Sequence, residues 1–359
     1  MNFREILFDD FGYFPALRTR PAEIRGLKEL TDNRKDKIIP LLTLQRWLKS
    51  KDIEDSMIKI FDAIGNRPFF IDLTYDSDKL LNDSPLRLSD DDFKNWSNFI
   101  AKHESAIPVI QFGNNATTRN IVRQALNFEK ADRKIAFRIR DFTRDTAIVN
   151  AALSALDDPD NAMIFIDAQY IRDSFSAYVA ATSATINTIR DNVPSAFIST
   201  LATSFPASVI QYVDANGYGV MEIMERRLHR DIGGYEAASY GDYGSIHSIM
   251  YDASIRRWSP RIDFPLEMEW ETSRPTSYSD NHDGYVNAAI TFTEKYRELD
   301  KSDIWGDRMI YGAANDGETV GNAPASWISV RVNIHLSKQI DFTERCLHDD
   351  ELPDEELEV

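Results

Sequence analysis

The chain has 359 residues, of which 43% are apolar, and its formal net charge at neutral pH is −17. This length allows one barrel-sized domain or two smaller ones. The acidic average surface repels phosphate backbones and anionic membranes, so we expect no non-specific nucleic-acid binding. No apolar run approaches the roughly 18 residues of a membrane span, and there is no charged-then-apolar leader. We therefore expect a cytoplasmic protein without membrane contacts.

Two features near the end of the sequence limit the chemistry. Cys346 is the single cysteine, which excludes an internal disulfide and a cysteine-clustered zinc site. Residues 349–359 read DDELPDEELEV, and this run of acids predicts a disordered, solvated tail. An alternative is that the tail docks on a basic partner. We assign 1–348 to one folded domain, with added elements from about residue 255.

Short apolar, β-branched or aromatic runs alternate with longer amphipathic segments along most of the chain. The short runs are typical of strands and the longer segments of helices. The predicted strands are 13–18, 37–44, 68–75, 106–112, 134–142, 162–171, 195–201 and the region around 240–248. The predicted helices between them are 21–30, 53–64, 89–105, 117–131, 145–156, 175–193 and 219–232.

Eight successive strand and helix units predict an α/β fold of the (β/α)8 TIM-barrel type. An open doubly wound sheet is the second choice, because the sequence carries no Gly-rich phosphate fingerprint. After about residue 255 the alternation breaks. We predict extra strands at 260–275 and 327–340, joined by a helix near 284–299. These elements are expected to pack on the barrel rather than to form an independent domain.

Polar residues occur late in several predicted strands, on the side that faces the barrel axis. Residues two apart in a strand share a face, and barrel proteins build their sites at the carboxyl ends of strands. In 134–142 one alternating set is apolar and suits the helix layer, so the other set points inward. The same alternation directs six charged side chains toward the axis: Arg18, Arg20, Asp72, Arg138, Arg140 and Asp167.

Four arginines at one site are the most specific feature of this acidic chain. A guanidinium binds carboxylate or phosphate through two parallel hydrogen bonds. The arginines therefore predict a small anionic ligand such as a nucleotide, or an acidic segment of a partner protein. The structural alternative is that Asp72 and Asp167 pair with two arginines, while Arg20 and Arg140 extend to solvent. A buried ion pair offsets little more than its own desolvation, which weakens that alternative.

A catalytic interpretation has four candidate residues, Asp72, Asp167, Asp242 and His247. In a hydrolase or transferase acting on phosphoesters or nucleotides, the arginines would clamp the phosphate. Asp72 or Asp167 would then act as base, and His247 would protonate the leaving group. A divalent metal is less favoured, because no spacing such as H-E-x-x-H occurs and neighbouring arginines oppose a cation. We predict no cofactor and no metal.

Several segments, taken in order along the chain, resemble the beta protein family, which is named from a T4-type phage. They are GYFPALRTRPAEIRGLKEL at 12–30, KDKIIPLLTL at 35–44, TSFP at 203–206, YGDYGSIHS at 240–248, PRIDFPLEMEWETSR at 260–274, WGDRMI at 305–310 and GNAPASWISVRVNIHLSKQI at 321–340. The resemblance implies a barrel-like protein without an agreed activity, found in phages and in bacterial mobile or defence-associated loci. It also implies a setting of conflict between phage and host.

Two positions depart from the family pattern. The family's opening motif tends to place Lys or Trp before the acid, where this chain has Arg18, Arg20 and Glu23. The family's second strand often ends in Glu, where this chain has Thr43 and Leu44. Acid chemistry at the second strand is therefore not carried over to this chain.

By the same resemblance, 240–248 is the eighth strand and its exit. Period two places Asp242 and His247 on opposite faces, so both reach the mouth only if Gly244 introduces a bulge or turn. Asp242 is the stronger candidate of the two. The preferred interpretation is a recognition component of a phage–host conflict system that binds its ligand at the arginine-lined mouth. A structural subunit acting through its acidic surface is a further alternative, and an oligomer is left open.

Overall fold

The computed structural model describes residues 6–113, 115–249 and 258–348, so the predicted acidic tail at 349–359 lies outside the described residues. The assignment of 1–348 to a single domain stays a prediction. The strands are β1 Ala16–Arg18, β2 Leu41–Leu44, β3 Phe69–Leu73, β4 Ala106–Pro108, β5 Ile135–Ile139, β6 Ala162–Tyr170, β7 Phe197–Thr203, β8 Tyr218–Glu222, β9 Ile262–Pro265 and β10 Glu269–Ser273. The helices are α1 Pro21–Lys28, α2 Asp32–Lys35, α3 Glu54–Ile64, α4 Lys94–Ile100, α5 Thr118–Lys130, α6 Arg144–Leu153, α7 Phe175–Arg190, α8 Met224–Asp231, α9 Asn281–Lys295, α10 Trp305–Asp316 and α11 Pro324–His348.

The first seven strands form two parallel sheets, with the orders β1-β2-β3-β4 and β5-β6-β7. Isolated parallel bridges continue the pairing beyond these sheets. The segment 239–242, where the eighth strand is predicted, forms several of these bridges. The bridges include Val109–Ala136 between β4 and β5, Ser199–Ser239 and Ala202–Asp242 beside β7, and Tyr13–Tyr240 beside β1. The parallel α/β class is confirmed, whereas a closed (β/α)8 TIM barrel stays a prediction.

The two faces of the parallel sheets carry two separate apolar layers. In β5, Ile135 and Phe137 lie in the layer under the helices, while Ala136 lies in an inner layer. The inner layer brings the two sheets together, because the ring centroids of Phe70 in β3 and Phe165 in β6 are 5.0 Å apart. Burying each such ring stabilises the fold by roughly 1.5–3 kcal/mol. The alternation that the sequence predicts therefore places Arg138, two residues after Ala136, on the inner face.

Strands β9 and β10 confirm the strands predicted at 260–275, and α9 confirms the helix predicted near 284–299. The predicted helix at 219–232 begins later than expected, because 218–222 forms β8 and pairs antiparallel with β10. Among the described residues, no helix is both long and apolar enough to cross a membrane.

The prediction of a strand at 327–340 is wrong, because this segment lies inside the 25-residue helix α11. Polar and apolar residues alternate here as they would in a strand with one buried face. In the structure most of the segment is buried, so no amphipathic stripe marks the helix. Its polar side chains are used in tertiary contacts: Arg331 with Asp263, Asn333 with the carbonyl of Gly26, and His335 with Asp242.

Helix α11 packs closely on α1 and reaches the segment 239–242. A Cβ atom on Gly26 of α1 would lie 2.7 Å from Cγ1 of Val332, so this close approach needs a residue without a side chain. His335 then binds Asp242 at 2.7 Å. The helix therefore covers the outer face at the place where the segment 239–242 lies beside β1.

Candidate functional site

A cavity of about 410 Å³ opens at the carboxyl ends of the parallel strands. The lining residues are Ala16, Leu17, Arg18, Glu23, Thr43, Thr74, Tyr75, Asp76, Arg138, Arg140, Arg144, Asp145, Gln169, Tyr243 and Ser248. Four arginines and three acidic residues belong to this lining. The cavity is therefore large enough for a small molecule and presents both signs of charge.

Arg138 is buried at the inner wall of the cavity and is bound on all sides by the protein. Its Nε donates to Asp167 at 2.9 Å, and its Nη1 donates to Asp72 and to Thr43, each at 3.1 Å. Its Nη2 donates to the Tyr243 hydroxyl at 3.2 Å. Burial alone would lower the pKa of Arg138, but Asp167, Tyr243 and Asp72 raise it above its usual value. Arg138 therefore holds the site together instead of offering free donors to a ligand.

Arg140 has the opposite character, because part of its guanidinium faces the cavity. Its Nε donates to Asp167 at 3.1 Å, and its Nη2 lies 3.9 Å from Asp72. The guanidinium carbon lies 4.4 Å from the ring centroid of Tyr75, and 23% of the side chain is exposed. Within the described part of the chain, Nη1 and Nη2 of Arg140 donate no hydrogen bond. Arg140 is thus held in place at one edge and has two nitrogen atoms available at the other.

Arg18 is fixed by the backbone of the segment that follows Tyr243. Its Nη2 donates to the carbonyl of His247 at 3.1 Å and also to the carbonyl of Ser248. Among the described residues, Nε and Nη1 of Arg18 have no acceptor. Burial lowers the pKa of Arg18 from its usual value, and Glu23 opposes that shift.

Arg20 does not join the other three arginines in the cavity lining. Strand β1 ends at Arg18, and Arg20 is the residue before the first turn of α1, so the strand alternation no longer applies. Its side chain is 42% exposed, and its Nη1 lies 4.0 Å from Oε1 of Glu23. The structure therefore places Arg20 at the start of a helix, on the protein surface.

The two predicted inner acids lie beside the cavity and accept several hydrogen bonds each. Asp72 accepts from Arg138, and its other oxygen accepts from Gln111 at 3.1 Å. Asp167 accepts from Arg138, Arg140 and the Tyr243 hydroxyl. Burial would raise the pKa of Asp167, but the two arginines hold it below its usual value. Asp167 is therefore a stabilised anion, which suits an ion pair better than a general base.

Asp242 lies on the opposite face from the cavity, in contact with α11. It accepts from the Tyr13 hydroxyl at 2.7 Å, the Tyr240 hydroxyl at 2.9 Å and the Gly244 amide at 2.8 Å. Its fourth contact is with Nε2 of His335 at 2.7 Å. Burial would raise the pKa of Asp242, but His335 and these hydrogen bonds lower it. Asp242 therefore joins the segment 239–242 to α11 and does not line the cavity.

His247 is half-buried beside the cavity but is not one of its lining residues. Its ring centroid lies 4.6 Å from that of Tyr170, and its Nδ1 accepts from the amide of Ile249 at 3.0 Å. Burial lowers the pKa of His247. The structure thus keeps Asp72 and Asp167 together and separates them from Asp242 and His247.

Tyr243 is a site residue that the sequence analysis missed. Asp242 turns outward, so its neighbour turns inward, and the Tyr243 hydroxyl reaches both Asp167 and Arg138. Gly244 and Ser245 follow with φ angles of 57° and 64°, which turns the chain away from the sheet. The sequence analysis directed Asp242 to the mouth, so the same period-two argument directed Tyr243 away from it, and the structure reverses both assignments.

Gln169 is a second site residue without a role in the sequence analysis beyond its strand position. The β6–β7 pairing shifts register between Asp167 and Gln169, and Gln169 adopts a φ angle of 56°. A residue with a side chain in this left-handed region is strained, and bulges of this kind redirect side chains next to functional sites. Here the bulge leaves Gln169 exposed in the cavity lining.

In residues 6–113, 115–249 and 258–348, no group of three or more His, Cys, Asp or Glu side chains could hold a metal ion. Asp72 and Asp167 are instead shared between Arg138 and Arg140.

The fold and the cavity define a parallel α/β protein with a polar, ligand-sized site at the carboxyl ends of its strands. The sequence model of the family described as Beta protein matches residues 13–341. "Protein beta" of Enterobacteria phage P4 is 41% identical over 356 residues, which cover 98% of this chain and 99% of the relative. This chain belongs to the Beta protein family. The resemblance that was based on the order of its sequence segments is therefore confirmed.

Proposed function

We propose that this chain binds a small anionic ligand in the cavity and acts as a recognition component in the conflict between phage and host. The observation that carries the proposal is the state of Arg18 and Arg140. Each guanidinium is anchored by acceptors at one side and retains nitrogen donors that no described residue binds. A guanidinium held in this way loses little side-chain freedom when an anion binds, which favours affinity.

We infer further that the two parallel sheets and the segment 239–242 form one closed (β/α)8 barrel. The bridges beside β4, β7 and β1 support this, because they occur where a closed barrel needs its remaining pairings. The inner aromatic layer supports it as well, since it includes side chains from both sheets. Helix α11 then takes the position of the eighth helix, and the cavity lies at the face where barrel proteins bind their ligands.

A recognition role fits the acids of the site better than a hydrolase does. Asp72 and Asp167 are both engaged by Arg138, and Asp167 has a lowered pKa. His247, the predicted acid, is outside the lining. Binding requires no general acid or base, so this arrangement supports a site that holds an anion such as a nucleotide or an acidic peptide segment. The relative from phage P4 supports a phage-associated setting, and we place the protein's action in the cytoplasm.

Isothermal titration calorimetry with inorganic phosphate and a panel of nucleotides tests the anion site. We expect the wild-type chain to bind at least one of these anions, and Arg140→Gln to bind it at least tenfold more weakly. A hydrogen bond to a charged group contributes about 1.5–3 kcal/mol, and 1.4 kcal/mol corresponds to a factor of ten.

Arg67→Gln is the matched control for Arg140→Gln. Arg67 is 27% exposed and pairs with two aspartates, Asp32 and Asp36, but it does not line the cavity. Its substitution should leave anion binding unchanged. The proposal fails if none of the anions binds, or if Arg67→Gln weakens binding as much as Arg140→Gln does.

A further inference from the structure

The cavity lining contains a buried carboxylate whose second oxygen accepts no hydrogen bond from the described residues. Glu23 lines the cavity and is only 2% exposed. Its Oε2 accepts from the amide of Arg18 at 2.6 Å. Its Oε1 accepts no hydrogen bond from the described residues, and Nη1 of Arg20 lies 4.0 Å away, beyond hydrogen-bond distance. Within the described residues this oxygen therefore has only a long ion pair, and a donor from a molecule bound in the cavity would give it a hydrogen bond.

The other acids of the lining do not offer the same opportunity. Asp145 accepts from the amides of Arg140 and Asp141 through one oxygen and from the Arg144 side chain through the other. Asp76 is exposed to solvent. Glu23 is therefore the acid whose position combines burial, a place in the cavity wall and an open acceptor atom.

Charge balance supports the same conclusion. A cavity suited to a simple polyanion would carry arginines with few acids, whereas this lining has four arginines and three acids. Arg18 and Arg140 provide the free donors, and Glu23 provides the free acceptor. A ligand that carries an anion at one end and an N–H donor at the other satisfies both sets of groups at once.

We propose that the ligand is a small zwitterion-like molecule, in which an amine binds Glu23 while a phosphate or carboxylate binds Arg140 and Arg18. This inference rests on the proposed anion site and names the class of molecule that the site selects. A positively charged or N–H group opposite the anion offsets the repulsion that Glu23 would otherwise exert on the ligand.

Two probes that differ by one ammonium group test the inference. O-phosphoethanolamine and ethyl phosphate are titrated separately into the wild-type chain and into Glu23→Gln, with inorganic phosphate as a third probe. We expect the wild type to bind O-phosphoethanolamine at least tenfold more tightly than ethyl phosphate. In Glu23→Gln the two affinities should become equal, because the amide keeps an acceptor for the Arg18 amide but lacks the negative charge.

The outcomes separate this inference from the anion site itself. If phosphate or ethyl phosphate binds and the wild type shows no preference for the amine, the zwitterion inference is wrong and the anion site stands. If none of the three probes binds, the zwitterion inference is wrong, and the nucleotide titrations decide whether the anion site stands. A preference that persists in Glu23→Gln would assign the amine to another acid and overturn the role of Glu23. The ratio of the wild-type affinities for O-phosphoethanolamine and ethyl phosphate decides for or against the zwitterion inference even if Glu23→Gln fails to fold.

Discussion

Two buried polar networks lie on opposite faces of the segment around residues 240–243, and only one of them is open to the cavity. The cavity network consists of Asp72, Arg138, Arg140, Asp167 and Tyr243. The helix network consists of Tyr13, Tyr240, Asp242 and His335. Consecutive residues, Asp242 and Tyr243, supply one side chain to each. A strand that alternates between faces can therefore contribute to a ligand site and to the packing of a helix within two residues.

The difference between the networks lies in their access to the cavity, because a buried atom of the helix network, Nδ1 of His335, also lacks a hydrogen-bond partner among the described residues. In the helix network, Asp242 meets three side chains and one backbone amide, all within 2.9 Å, and none of its partners lines the cavity. In the cavity network, Arg138 is equally engaged, but Arg140 keeps donors at the cavity surface. A buried charge therefore indicates a binding site only when part of its neighbourhood remains open.

The largest effect is expected from removing the central cation of the cavity network. Arg138→Ala leaves Asp72 and Asp167 buried with much less positive charge, so we expect the free energy of unfolding to fall by about 3–5 kcal/mol. Urea denaturation followed by circular dichroism measures the change. Arg144→Ala serves as the control, because Arg144 also pairs with an aspartate but is 65% exposed. We expect that substitution to cost no more than about 1 kcal/mol. Equal losses in both variants would contradict the structural role of Arg138.

The second-largest effect is a pH dependence of stability that arises from Glu225, a buried residue near the helix network. Burial raises the pKa of Glu225 from 4.5 to about 7, and Asp242 contributes to the shift while the Ser204 donors oppose it. Between these two values the folded chain holds a proton that the unfolded chain has released. The stabilisation is therefore complete below pH 4.5 and is lost as the pH rises through about 7.

Glu225→Gln removes this proton-linked contribution. Between about pH 5 and about pH 8 the unfolding free energy of the wild type should fall. We expect this fall to exceed that of the variant by about 3 kcal/mol. Burial lowers the pKa of His229 to about 4, which changes stability with pH in the opposite sense. Both chains carry His229, so comparing them at each pH isolates Glu225. Parallel pH profiles for the two proteins would contradict the raised pKa.

The sequence predicted most of the parallel strands and the inward direction of Arg138, because a strand buried on both faces keeps its period-two alternation. It failed at α11, where polar residues at 331, 333 and 335 follow a strand period but bind partners distant in the chain. It also failed at Arg20, where a helix start ends the alternation. Such contacts depend on tertiary packing, which a local pattern does not contain.

At the cavity itself, the sequence identified the charged pairs but not the atoms left free. Arg138 and Arg140 occupy equivalent positions in the alternation, yet only the second keeps donors at the cavity surface. The distinction arises from Thr43 and Tyr243, which complete the hydrogen bonds of Arg138 from two other segments. Contacts between side chains of separate strands decide which arginine is structural and which is free to bind a ligand, and a local sequence pattern does not contain those contacts.

The smallest effect is expected at Gln169, which can be compared with Gly244 because both residues adopt a left-handed backbone conformation. Gly244 occupies that conformation beside the helix network, whereas Gln169 occupies it in the cavity lining, where a side chain adds strain. We expect Gln169→Gly to raise the unfolding free energy by up to about 1 kcal/mol and Gln169→Val to lower it by about 1–2 kcal/mol. Thermal unfolding measures both, and phosphate titration shows whether the glycine variant loses affinity. A stabilised variant with weaker binding means that the strain is retained for the ligand, while a destabilised glycine variant would assign Gln169 to packing.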